Sequence, residues 1–179
     1  QGEWYRGAGG LRLRAALWTP SAPAAGEPRG TVVLSPGRTE PIEKYFEVIG
    51  NFLARGWCVL THDWRGQGLS SRRLRDPRKG YVRDFSDYEV DVETFVQQVV
   101  LPDCPPPYFA LAHSMGGCIG LAALEGGMAV QSAVFSAPMW GINLRRMQQG
   151  VALGIAYLAG RVGRGGLTAP GSGGAATTY

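Results

Sequence analysis

"YFALAHSMGGCIG", residues 108–120, decides the fold. Tyr108–Ala112 is a short continuous apolar run, the form taken by a strand buried on both faces. Ser114 stands at its end, and a glycine-rich helical stretch from about Met115 to Glu125 follows, stopping at Gly126-Gly127. A strand passing directly into a helix needs a sharp turn, which crowds the backbone two residues either side of its apex. Those positions are the small Ala112 and Gly116, with His113 beside the apex. A serine there is lifted out of the sheet, where the first free N–H groups of the helix face it.

A serine hydroxyl is a weak nucleophile at neutral pH and needs a base to take its proton. It also needs backbone donors aimed at the oxyanion formed on attack. "SPGRTEP", residues 35–41, follows another buried run, "TVVLS", residues 31–35. Gly37 lets that loop approach a substrate without a Cβ. The simpler readings are a serine capping a helix and an ordinary turn after a strand.

Outward from these two loops, strand and helix alternate. "LRLRAALWTP" reads as a strand ended by Pro20, and "SAPAAGEPRG" as a loop. Pro41 opens a helix carrying Ile42, Tyr45, Phe46, Ile49, Phe52 and Leu53 at helical spacing, closed by Gly56. "WCVLTHD" is a second buried strand, leading into the glycine-bearing "WRGQGLSS". A long helix is expected from Asp84 to Val100, ended by "PDCPPP", and "VQSAVFSAP" is a further strand. Short apolar strands alternating with helices predict an α/β fold, a mostly parallel sheet with helices on both faces. From Pro138 the chain changes character. "MWGINLRRMQQGVALGIAYLAGRVGR" looks helical and lacks acids, and "GGLTAPGSGGAATTY" is of low complexity.

The totals narrow the function. The 179 residues suit one domain, and 45% hydrophobic with 18% charged residues is a globular composition. A formal charge of +4 comes from scattered arginines, unlike a nucleic-acid stripe. Cys58, Cys104 and Cys118 show neither metal-ligand nor CxxC spacing, and free thiols fit a reducing, cytoplasmic setting. No metal or cofactor is expected. "VALGIAYLAG" is shorter than the ~20 residues that span a bilayer.

The stretches "PGRTEPIEKYFEVIGNFLARG", "HDWRGQGLSSR", "DFSDYEVDVETFV" and "YFALAHSMGG" together resemble the α/β-hydrolase superfamily. Within it they most resemble the group of lysophospholipases, monoacylglycerol lipases and serine aminopeptidase (S33-type) hydrolases. The resemblance implies Ser114 as nucleophile, the backbone N–H groups of Arg38 and Met115 as oxyanion donors, and an acyl-enzyme route for cleaving a carboxylic ester. It implies a small-molecule ester or lysophospholipid substrate and leaves room for peripheral contact with a membrane. "GRTEPIEKYF" with "DWRGQGLS" points particularly to the lysophospholipase-like branch, and Pro36-Gly37, where monoacylglycerol lipases carry His-Gly, weakens a glyceride-lipase assignment.

In that family the acid and histidine follow the serine, with a cap between. After Ser114 this sequence has only Glu125 as an acid, at the far end of the helix, and no histidine. The expectation is therefore a core over residues 1–137 and the start of a cap over 138–179, truncated, lacking part of the triad and inactive alone. The alternative is a non-catalytic α/β scaffold that binds. His113 adjoins Ser114, so its side chain should point elsewhere. His62 and Asp63 are strand neighbours facing opposite ways, so they make a poor base–acid pair; Asp63 is expected to order the "WRGQG" loop. Arg72, Arg73, Arg75, Arg78 and Lys79 read either as a basic rim for an anionic head group or as a solvated loop. Arg145, Arg146, Arg161 and Arg164 would flank either an interfacial lid helix or a packed cap helix.

Overall fold

The computed structural model describes residues 2–21, 27–141 and 146–166, with only the backbone of 146–149. Six strands form one sheet in the order β1-β2-β4-β3-β5-β6. They are β1 (Gly2–Arg6), β2 (Arg12–Trp18), β3 (Thr31–Ser35), β4 (Cys58–His62), β5 (Tyr108–His113) and β6 (Ser132–Ser136). β4, β3, β5 and β6 run parallel, while β1 and β2 are antiparallel to their neighbours. The mostly parallel sheet is as the sequence predicts. β1 is an addition, since five residues beginning at a glycine carry too little alternation to announce a strand.

Alternation along the central strands separates two cores. Val33 and Leu60 face Tyr5, Leu13, Phe95 and Val99 on one side. Leu34 and Val59 face Ile49 and Phe52 on the other, where α1 (Phe46–Leu53) lies. α2 (Ser86–Phe95) and α4 (Met115–Glu125) share the first side, joined through Tyr88, Val92, Met115 and Ile119.

Two helices differ from their expected form. The helix after Pro41 starts as a 3-10 turn, Ile42–Tyr45, before α1. The helix expected over 84–100 begins at Ser86 and runs on through a π-helical turn, Val96–Val100, and a last turn, α3 (Leu101–Asp103). Pro102 has no amide hydrogen to give to the preceding turn, and the widened turn sits immediately before it. Cys58 and Cys104 are buried and Cys118 half-buried, all as free thiols. Of the stretch expected to be helical from Met139 to Arg164, α5 (Arg146–Arg161) is a helix, while Met139–Gly141 and Val162–Arg164 are not. Arg145, the side chain of Arg146 and the low-complexity stretch 167–179 lie outside the described residues.

One ion pair ties the N-terminus, the loop after β4 and α2 together. Arg65 is 1% exposed and is held by Asp91 at 2.6 Å and Asp87 at 2.8 Å. The same guanidinium donates to the Ala8 carbonyl, while the Ala8 amide donates to Asp91. Removing one partner of a buried pair strands the other charge away from water. Asp91→Ala is expected to lower the unfolding free energy by about 3–5 kcal/mol, read from urea denaturation.

Candidate active site

Ser114 sits between β5 and α4 with φ 51° and ψ −117°, a conformation few non-glycine residues adopt. Its amide donates to the Ser136 carbonyl at 3.1 Å, and its carbonyl accepts from Gly117 and Met139. The turn is therefore pinned from β6 and from its own helix. A Cβ on Gly116 would lie 2.4 Å from the Ser35 carbonyl oxygen and 2.5 Å from that of Pro36, so only glycine fits there. Ala112 is buried against Gly120, whose own Cβ would lie 3.4 Å from that of Ala112.

The loop after β3 lies alongside. The parallel register pairs Ser35 with Ala112, so β3 and β5 end at the same level. A Cβ on Gly37 would come within 3.1 Å of the His113 ring. Arg38 and Met115 thus occupy the two backbone segments bordering Ser114. Met115 opens α4, where a helix's first amides have no acceptor within the helix. Sequence reasoning overlooked what holds the Pro36–Glu40 loop. Trp64 Nε1 donates to the Pro36 carbonyl at 2.7 Å, and Gly37 N–H donates to Glu40 Oε2 at 3.0 Å. Tyr45 donates to the same carboxylate at 2.6 Å. Burial pushes the Glu40 carboxyl up, but hydrogen bonds from Tyr45, Lys44 and Gly37 outweigh it and leave the group below the usual range.

Neither histidine faces the serine. His113 Nδ1 lies 3.0 Å from the Ser136 carbonyl, which can only accept, so this nitrogen donates. Its Nε2 is 3.9 Å from Glu40. His62 is enclosed by Tyr5, Trp64 and Phe95, with Nδ1 2.8 Å from the Tyr5 hydroxyl. Burial drives its pKa down to about 3. Asp63 points the opposite way, as alternation predicts, and accepts from the amides of Ile42 and Leu69 while pairing with Arg14 at 2.8 Å. It orders the loop after β4. Glu125 ends α4, eleven residues along the helix from Ser114, so it stands about 16 Å away.

Three of the five basic side chains expected as a rim or a solvated loop have partners within the chain, and Arg78 stays largely exposed. Arg78 pairs with Asp76, Arg72 donates to the carbonyls of Ser70 and Pro77, and Lys79 donates to that of Gly166. Among the described residues no cluster of three or more His, Cys, Asp or Glu side chains is placed to hold a metal. None of their helices is long and apolar enough to cross a membrane.

The family described as serine aminopeptidase, S33 (Hydrolase_4) matches residues 26–169. The chain belongs to this hydrolase family. It is 44% identical over 115 residues to lysophospholipase L2 of Escherichia coli K12, covering 64% of this chain and 34% of that protein. It is 33% identical over 119 residues to the monoglyceride lipase of Rattus norvegicus, covering 65% and 35%. A soluble variant of Saccharomyces cerevisiae monoglyceride lipase, solved with a substrate analogue, superimposes with a TM-score of 0.65 at 25% identity, covering 89% of this chain and 52% of that one. The matched region spans about a third of these curated relatives. The sheet order is that of an α/β-hydrolase core in part.

Two measurements follow from the geometry. Ser114→Gly relieves the left-handed backbone and should raise the unfolding free energy by about 1 kcal/mol, whereas Ser114→Ala, which keeps the Cβ, should not. His62 sets a pH dependence. Between its ordinary pKa of 6.5 and about 3, the unfolded chain binds a proton here that the folded chain excludes. Stability must fall as pH falls through that window. In urea melts at pH 7 and 4.5, the loss should be smaller in His62→Gln by about 2.5 kcal/mol.

Proposed function

We propose that the protein is a serine hydrolase of carboxylic esters, of the lysophospholipase kind, acting through an acyl-enzyme on Ser114. The observation that carries this is the left-handed serine at the β5–α4 junction beside the Pro36–Glu40 loop. Ser114 Oγ attacks the ester carbonyl while a base takes its proton. The N–H groups of Arg38 and Met115 receive the oxyanion. Collapse expels the alcohol, which takes up that proton, and water then releases the acid. The kinship with lysophospholipase L2 supports a lysophospholipid as the ester. Exposed Leu153, Tyr157 and Leu158 on α5, with Arg161 near its end, support contact with a lipid surface.

The sequence's two histidines are both held by other partners, which supports a proton acceptor supplied from outside residues 1–179. A polypeptide of these residues alone is expected to hydrolyse p-nitrophenyl acetate at background. A missing base costs on the order of 10⁴–10⁶-fold in comparable triads. In the chain as its gene encodes it, a fluorophosphonate should label Ser114 and no other residue, and Ser114→Ala should abolish labelling. An absence of label would leave the binding scaffold as the reading. Rapid Ser114-dependent turnover by residues 1–179 would overturn the assignment of the base.

A further inference from the structure

We propose that Gln67 is a positioning residue for the oxyanion donor on Arg38. The inference rests on the ester-hydrolase reading and deepens it, by naming what keeps one backbone amide free and fixed.

The Pro36–Glu40 loop contains three successive peptide units with unlike fates. In the first, Pro36–Gly37, both polar atoms are occupied: the carbonyl by Trp64 Nε1, the N–H by Glu40 and, at 3.3 Å, by the Tyr45 oxygen. In the third, Arg38–Thr39, both are occupied again. The carbonyl accepts from Thr39 Oγ1 at 2.6 Å, and the N–H donates to Gln67 Oε1 at 2.6 Å. Between them lies the Gly37–Arg38 unit, whose N–H has no acceptor among the described residues. Clamped neighbours fix the plane of a peptide without consuming its donor, which is what an oxyanion hole requires.

Gln67 is suited to that task. It is 3% exposed, and its backbone is set by the Trp64 carbonyl on one side and the Ser70 amide on the other. An N–H donor demands an oxygen acceptor, so the orientation of the side-chain amide is determined. The remaining end is directed toward Tyr88, whose hydroxyl it influences. Tyr88 packs with Trp64 and with Met115, the other proposed donor, so one buried unit braces both. Thr39 has φ 60°, which costs about 1–3 kcal/mol and persists only where surrounding contacts enforce it. Gln67 supplies that contact.

The test is steady-state hydrolysis of p-nitrophenyl acetate by the chain as its gene encodes it. Gln67→Leu keeps the volume and removes the acceptor, and kcat should fall about 10–100-fold with KM changed less than about twofold. Gln67→Glu retains an acceptor oxygen and should recover kcat to within about threefold of the parent. If Gln67→Leu does not fold, Gln67→Asn, too short to reach Thr39, provides the same comparison. Unchanged kcat in the Leu or Asn variant overturns the proposal, as does an equal loss in the Glu variant, which would assign Gln67 to packing alone. Ser114→Ala is measured alongside. Retained turnover there overturns the Ser114 reading and the Gln67 proposal with it, whereas lost turnover there with normal Gln67→Leu overturns the Gln67 proposal alone.

Discussion

The approach of Gly116 to the carbonyls of Ser35 and Pro36 is the constraint on which the site depends. It exists because β3 and β5 are parallel neighbours in a register that ends both strands together. From β3 the chain crosses to β4 on one side, and β5 then takes the other, continuing to β6. Chain directions diverge above that point, and a crevice opens at the carboxyl edge of the sheet. Any side chain at position 116 would push α4 away from β3. The serine and the Arg38 loop would separate, and no change at the serine itself could restore them.

Around that crevice the backbone is satisfied by side chains rather than by ladders. The loop after β4 carries Trp64, Arg65, Gln67 and Ser70, all buried, which is unusual for a connection between elements. Burial of irregular backbone is tolerable only where each polar group finds a partner. Asp63 serves two amides, Ser70 serves the Asp63 carbonyl and the Arg14 amide, and Trp64 serves Pro36. A Cβ on Gly68 would overlap the Asp63 carboxylate, so this glycine is fixed by the same arrangement. The loop behaves as a buried polar strut between the N-terminal strands and the Pro36–Glu40 loop.

What the sequence made legible follows from the range of the interactions involved. Central strands and amphipathic helices announce themselves through periodicity, and the elbow through small residues at fixed offsets from Ser114. Local alternation also foretold that His62 and Asp63 would part to opposite faces. The polar strut was invisible because its partners are remote in sequence: Arg65 with Asp91, 26 residues on, and the Ala8 amide with Asp91, 83 residues on. Thr39 with Gln67 is of the same kind, 28 residues apart. The π-helical turn before Pro102 was missed for a different reason. A proline is legible as a disturbance, but whether a helix stops or widens to pass it depends on what the next turn packs against.

The distribution of backbone strain gives the site its physical logic. Among the described residues, three that are not glycine have a positive φ: Thr39, Ser114 and Ala137. They follow β3, β5 and β6, three adjacent parallel strands, and lie beyond the same edge of the sheet. Each such residue costs about 1–3 kcal/mol, so a fold that merely needed three connections would not choose them. They persist because the turns brace one another. The Ser136 carbonyl takes the Ser114 amide and the His113 ring, and Met139 donates to Ser114. Gln67 takes Thr39. In this arrangement His113, adjacent to Ser114, serves as a brace. Its ring is fixed to β6, and freeing it would take away one of the contacts that hold the turn at Ser114.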